Sequence, residues 1–207
     1  MVETEPAEAA PLFGAQIDRA RGFAEALGVH GEERGLIGPL EPARLWTRHI
    51  LNSAVAAPLF PPSAVVGDVG SGAGLPGIVL AIARPDVQWV LIEPMERRVA
   101  WLQEQADALR LENVEIVRAR AEDWDRGPTL DAVTARAVSA LRTLIPITAP
   151  LLRPGGELIL LKGANAQNEI GAAEKVIRKH GLRDVRVEVV GDGVISDPTW
   201  VIRGRKN

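Results

Sequence analysis

Asp68-Val69-Gly70-Ser71-Gly72-Ala73-Gly74-Leu75-Pro76-Gly77 decides the fold of this chain. The apolar run Ala64-Val65-Val66 leads into it, and a helical pattern from Leu75 to Ala83 leads out. Strand, glycine-rich turn and helix together make the nucleotide cradle of an α/β protein. Glycines let the backbone turn tightly and let a ligand approach the main chain. The helix that follows turns unpaired N–H groups and a partial positive charge toward an anion in the turn.

Outward from this stretch the pattern alternates. Strands are expected at 64–69, 87–92, 114–118, 131–135 and 157–162, and helices at 75–83, 95–109, 139–151 and 167–180. Such alternation implies a mainly parallel sheet covered on both faces. The rhythm breaks at the end, where strands at 185–190 and 200–203 flank a loop without a helix, so they pair antiparallel at one sheet edge. Before the sheet, helices are expected at 12–29 and 43–59, the second stopped by Pro61-Pro62. Residues 1–11 read as a disordered tail. The expected division is a tail and helical extension over 1–60 and a cofactor-binding domain over 61–207.

Composition sets further bounds. The chain has 207 residues, 46% hydrophobic and 25% charged, which is ordinary for one folded unit with a sizeable core. It has no cysteine, which excludes disulfides, cysteine-ligated metals and a cysteine nucleophile. No apolar stretch reaches the roughly 20 residues needed to cross a bilayer. The acidic start Met1-Val2-Glu3-Thr4-Glu5 is no secretory signal, so a cytoplasmic location is expected. A net charge of −3 argues against a general nucleic-acid coat, while leaving room for a local basic patch.

Two fingerprints compete for the glycine stretch. Gly72-x-Gly74-x-x-Gly77 fits a dinucleotide site, and Asp68-x-Gly70-x-Gly72-x-Gly74 fits the first motif of S-adenosylmethionine methyltransferases. Glu93, about twenty residues on at the next strand end, serves ribose hydroxyls in either. Asp68, placed before the first glycine, suits the ammonium end of S-adenosylmethionine, directly or through water. The chain is also short for a dinucleotide half plus a substrate domain, and the helix-free terminal strand pair belongs to the methyltransferase class. For Ala121 and Glu122 two readings stand side by side, the edge of an adenine and an acidic helix start. Arg136, at a strand's C-terminal edge, reads as functional against a surface ion pair.

The chemistry narrows by elimination. The fourth strand ends Thr134-Ala135-Arg136-Ala137-Val138 rather than in an Asn/Asp-Pro-Pro-aromatic motif, which disfavours transfer to an exocyclic amine. Pyrimidine C5 transfer needs a cysteine. A ring nitrogen such as guanine N7 needs neither, because its lone pair is free and carries no proton. No general base is then expected, and no metal.

These residues resemble the RsmG (GidB) family, bacterial methyltransferases of guanine N7 in 16S ribosomal RNA. The resemblance is carried by Leu45-Trp46-Thr47-Arg48-His49-Ile50-Leu51-Asn52-Ser53, by the glycine stretch with its Leu75-Pro76-Gly77 ending, and by Arg84-Pro85. It continues through Glu93-Pro94-x-x-Arg97-Arg98, Ala121-Glu122, Arg136-Ala137 and Lys162-Gly163. It implies a class I, Rossmann-like methyltransferase: a mostly parallel seven-stranded α/β sheet with an antiparallel C-terminal edge strand and an N-terminal helical extension. It implies S-adenosyl-L-methionine as cofactor, held at Gly70, Leu75, Ala121, Glu122 and Arg136 with Glu93 in the ribose-acid place, beside Asp68 and Gly72 of the turn. The implied partner is 16S rRNA in the small ribosomal subunit, with no membrane, no metal and a monomeric enzyme. Arg48 and His49, otherwise a solvated charge and a structural histidine, move toward the substrate mouth, and Lys162 becomes a candidate phosphate contact. The five tryptophans read mostly as core or interface, with stacking of Trp46 or Trp200 on a flipped base as the lesser reading. The basic stretches at 178–186 and 203–206 read either as phosphate contacts or as surface charge. The chain departs from the family pattern at Gly35-Leu36-Ile37-Gly38 and at Asp197-Pro198-Thr199-Trp200. The alternatives are a small NAD-dependent oxidoreductase and a non-catalytic RNA-binding protein.

Overall fold

The computed structural model describes residues 2–207. Seven strands form one sheet: β1 Val65–Val69, β2 Gln88–Ile92, β3 Val114–Val117, β4 Leu130–Arg136, β5 Leu152–Lys162, β6 Leu182–Val190 and β7 Thr199–Lys206. Their order is β3-β2-β1-β4-β5-β7-β6. The pairs among β1 to β5 are parallel, and β7 runs antiparallel to both β5 and β6. The terminal pair therefore sits at one edge as expected, with β7 as its inner member. A dinucleotide fold would continue in parallel to a sixth strand; the antiparallel β7 departs from it.

Alternating side chains divide the core in two. Val66, Trp89, Leu91, Ala132, Ile159 and Val201 face one layer; Val90, Ile92, Val133, Leu158, Leu160 and Ile202 face the other. The first layer holds α1 Ala9–Phe13, α2 Ile17–His30, the segment 42–59, α4 Gly77–Ala83 and α5 Glu96–Ala108. The second holds α6 Leu141–Thr148 and α7 Ala166–Lys179. Trp89, Trp101 and Trp46 are buried in the first layer, so Trp46 is core rather than a stacking platform.

Two expectations fail here. The tail over 1–11 is built into the fold: Ala9 is fully buried, Glu3 N–H donates to the Pro42 carbonyl at 2.8 Å, and Glu5 pairs with Arg21 at 2.6 Å. Ala9 opens the short helix α1 that ends at the expected helical residue Phe13, and the polar composition of 1–11 concealed it. The continuous helix at 43–59 is also absent. A 3-10 turn at Pro42–Arg44 leads to a π-helical turn over Trp46–Leu51, a short α3 at Asn52–Ala54 and a 3-10 turn at Ala57–Leu59. Pro42 and Pro58 stand at the starts of the 3-10 turns, and Ser53 Oγ donates back to the His49 carbonyl at 2.6 Å. Such back-bonding competes with regular helix geometry, and single π turns gather at functional sites.

Candidate functional site

The glycine turn is held from three sides. Gly70 N–H still donates to the Ile92 carbonyl at 2.9 Å, extending the β1–β2 pairing into the turn. Glu93, 1% exposed, accepts from Gly72 N–H through one oxygen and from Met95 N–H through the other, both at 2.9 Å. The indole of Trp101 on α5 donates to the Ala73 carbonyl at 3.0 Å. One carboxylate thus ties the loop after β1 to the loop after β2, with lone pairs left for ligand hydroxyls.

Two glycines are required by geometry. Gly72 has φ +55, a left-handed conformation that favours glycine, and a Cβ there would meet nothing nearer than the Gly70 carbonyl oxygen at 3.6 Å. Gly77 begins α4 against β1, where a Cβ would lie 2.4 Å from both Asp68 Oδ2 and Leu91 Cδ2. The last glycine of the stretch therefore serves close helix–strand packing.

Asp68 is fully buried. Its Oδ2 accepts from Gly77 N–H at 3.0 Å, while its Oδ1 has no hydrogen-bond partner among the described residues. Burial pushes the carboxyl up to about 7, against the pull of neighbouring donors and of the Arg136 charge. An unpartnered buried carboxylate oxygen is costly, and a cationic ligand group offsets that cost. Thr134 faces Asp68 across the β1–β4 register, and its buried hydroxyl is also unpartnered.

The candidate residues lie along the C-terminal edge of the strands, from Arg136 on β4 through Asp68 to Gly72 after β1 and Glu93 after β2 to the turn Ala121–Asp123 after β3. Ala121 is buried and Glu122 exposed; Leu75 is 8% exposed in the first core layer.

At the β4 end of this row opens a cavity of about 470 Å³. Arg48, His49, Arg136, Lys162, Asp197 and Trp200 help line it. The glycine turn, Glu93 and Ala121-Glu122 are not in its wall; Ala137 is, and the next residue, Val138, lies over Gly70. Arg136 lines this cavity together with Arg48 and His49, and its charge also acts on Asp68. Its Nη2 donates to His49 Nδ1 at 2.9 Å and its Nη1 to the Arg48 carbonyl at 3.4 Å. Burial lowers its guanidinium to about 10, so it stays cationic at neutral pH. Burial, and then the Arg136 charge, pull His49 below the usual imidazole range.

Lys162 lines the cavity with its charge already engaged. Its Nζ donates to the Ser139 carbonyl at 2.9 Å and pairs with Glu169 Oε2 at 2.8 Å, and the same oxygen accepts from Leu141 N–H at 2.8 Å. It braces the Ala137–Ala140 loop and the start of α6. Arg48, 53% exposed, lies 3.7 Å from Asp197. Of the basic stretches, Arg203 and Arg205 are paired with Glu157, and Lys206 donates to the His180 carbonyl. Glu41, Glu169 and Thr134 were not singled out in the sequence. Glu41 and Glu169 meet partners that no local spacing marks, and Thr134 faces Asp68 only through the β1–β4 register.

The sheet order, the glycine turn with its two buried acids and the cavity at the β4 end define a class I, Rossmann-like methyltransferase. Solved structures share this fold. A SAM-dependent methyltransferase from Aquifex aeolicus superposes with a TM-score of 0.59 at 19% identity, covering 80% of this chain and 94% of that one. TYW2 from M. jannaschii, in complex with AdoMet, gives 0.59 at 19% identity over 78% and 76%. The particular family follows from sequence: residues 16–196 match the GidB model, rRNA small subunit methyltransferase G, and the chain belongs to that family. Proteins named ribosomal RNA small subunit methyltransferase G are 65% identical in Leifsonia xyli, over 98% of this chain and 96% of the relative, and 62% identical in Clavibacter sepedonicus, over 99% and 96%. The Corynebacterium glutamicum relative is 44% identical over 98% and 92%.

Proposed function

We propose that this protein transfers the methyl group of S-adenosyl-L-methionine to N7 of a guanosine in 16S rRNA of the small ribosomal subunit. The observation that carries the proposal is the order of groups along the sheet edge. Asp68, Glu93 and Ala121-Glu122 match the ammonium, ribose and adenine of that cofactor in turn, and the cavity opens at the Asp68 end, where the methyl group would be.

The residues present fit the cofactor. Asp68 Oδ1 lacks a partner and takes the ammonium; Glu93, fixed by two main-chain donors, takes the ribose hydroxyls. Gly72 admits the ligand to the main chain, Gly70 with φ +72 shapes the turn that meets it, Leu75 flanks it, and Ala121 and Glu122 edge the adenine. When bound, the cofactor supplies an electrophilic methyl on a sulfonium. The protein's task is alignment of guanine N7 with that methyl. N7 has a lone pair and no proton, so no side chain need act as a base. Arg136, cationic on the cavity wall, donates to the guanine O6 edge; Arg48 and Trp200 contact the RNA at the rim. Residues 1–60 form the extension that shapes this mouth, and 61–207 the cofactor-binding domain. The protein acts as a cytoplasmic monomer without a metal; no helix among the described residues is long and apolar enough to cross a membrane.

The test is incubation with methyl-labelled cofactor and small subunits from cells lacking the enzyme, followed by mass spectrometry of the rRNA. Label at guanine N7 of 16S rRNA is expected. Absence of transfer, or label at another atom, refutes the proposal.

A further inference from the structure

The cavity wall contains a chain of three side chains from three parts of the fold. Arg136 on β4 donates from Nη2 to His49 Nδ1 at 2.9 Å. His49, on the π turn, has its other ring nitrogen 2.5 Å from Glu41 Oε2, on the loop before Pro42. Glu41 is itself held by Arg44 Nη2 on Oε1. A guanidinium has only donors, so His49 Nδ1 must present its lone pair to Arg136. The proton of a neutral imidazole then resides on Nε2, and it is donated to Glu41. The carboxylate therefore selects the only tautomer that can receive Arg136. Without it, the Nε2 proton has no acceptor and only the contact with Arg136 still favours this tautomer. In the wrong tautomer two donors face each other, leaving Arg136 only its long contact to the Arg48 carbonyl.

We infer that Glu41 is a positioning residue for the methyl transfer: through the imidazole of His49 it holds the Arg136 guanidinium at the wall of the cavity. The inference rests on the reading that this cavity receives the guanine. The charged groups facing the imidazole are Arg136 from β4, Arg48 from its own turn and Glu41 from the preceding loop. The two arginines oppose an added proton on His49, so the neutral tautomer is the working form. Glu41 differs in kind from the turn acids Asp68 and Glu93, since it stands behind the cavity wall and reaches it only through His49.

The experiment compares the wild type with Glu41→Gln and Glu41→Ala in the full chain. Nitrogen-15 NMR of labelled histidine reports the tautomer at His49, assigned by loss of its signals in a His49→Gln control. The chain has three histidines, so the spectra are tractable. The wild type and Glu41→Gln, which keeps an acceptor, should show a single Nε2–H tautomer; Glu41→Ala should show tautomer averaging. On small subunits Glu41→Ala should lose ~10–100-fold in kcat, the scale of a displaced positioning group. KM for S-adenosylmethionine should stay within about twofold, and Glu41→Gln should recover most of the rate. Glu41→Ser, too short to reach the imidazole, gives the same comparison if the alanine variant fails to fold. An unchanged tautomer, or an unchanged kcat in a folded variant, overturns the role of Glu41. Absence of transfer by the wild type would instead overturn the functional reading.

Discussion

Asp68→Asn should make the cofactor-free protein more stable while weakening cofactor binding. In an unfolded chain the Asp68 carboxyl titrates near 3.8; in the folded chain burial raises it to about 7. Below about pH 4 the group is protonated in both states and contributes nothing. As pH rises toward 7 the unfolded state ionises while the folded state still holds its proton, so the native state loses stability steadily. Above 7 both are ionised and the loss is complete. A rise of about 3 pH units at ~1.36 kcal/mol each sets a ceiling of ~4 kcal/mol, and local relaxation should leave about half of that. Asparagine does not titrate. Its stability relative to the wild type should therefore improve by ~2–4 kcal/mol between pH 4 and pH 8, measured by urea unfolding without cofactor. Binding of a ligand ammonium reverses the balance by stabilising the carboxylate. Proton release from the wild-type site on binding should be large at pH 5 to 6 and fall away above pH 8, read by calorimetry in buffers of different ionisation enthalpy. The asparagine variant should release none and bind at least about tenfold more weakly. A stability difference independent of pH, together with proton-free binding by the wild type, would refute the argument that Asp68 is a strained, ligand-awaiting acid.

Gly72→Val should leave a folded protein, since a Cβ there makes only ordinary contacts, at a cost of ~1–2 kcal/mol for a left-handed backbone. Its cofactor affinity should be lost in calorimetry; retained affinity would move the site elsewhere. Gly77→Ala should act through packing instead, because its Cβ would fall 2.4 Å from Asp68 Oδ2 and Leu91 Cδ2. About 1–3 kcal/mol of destabilisation in urea melts is expected. Lys162→Met should leave the Glu169 carboxylate poorly paired and cost ~3 kcal/mol, with Lys162→Met/Glu169→Gln recovering much of it; equal losses in the single and double variants would exclude the brace.

Much of the sheet was legible because β1, β2, β4 and β5 contain apolar runs and helices follow β1, β2 and β4, which is how buried parallel strands look. The start of β5 was missed, since Arg153-Pro154-Gly155-Gly156 has the composition of a turn while its backbone runs into the strand, with an irregular register at Leu130/Ala132. The Trp46–Leu51 turn was read as ordinary helix because its spacing of apolar residues fits one. Its departure comes from proline placement and from Ser53 bonding to His49. The glycine turn and its acids stood out because their chemistry is local in sequence. Glu41 and Glu169 did not, because their significance lies in partners such as His49 and Lys162 that only the folded chain brings within reach.

The place of β7 bears on how the protein is made. In the sheet β6 pairs only with β7, and the far edge of β5 is likewise covered by β7. On an emerging chain β1 to β5 can zip together in order, but residues 182–190 have no neighbour until residues 199–206 have been synthesised. The last strand then threads between two that are already waiting, bringing Trp200 to the cavity wall opposite Lys162. A nascent chain arrested before Thr199 would expose an apolar edge of Leu158 to Leu161 to the crowded cell, so chaperone demand should peak late in translation.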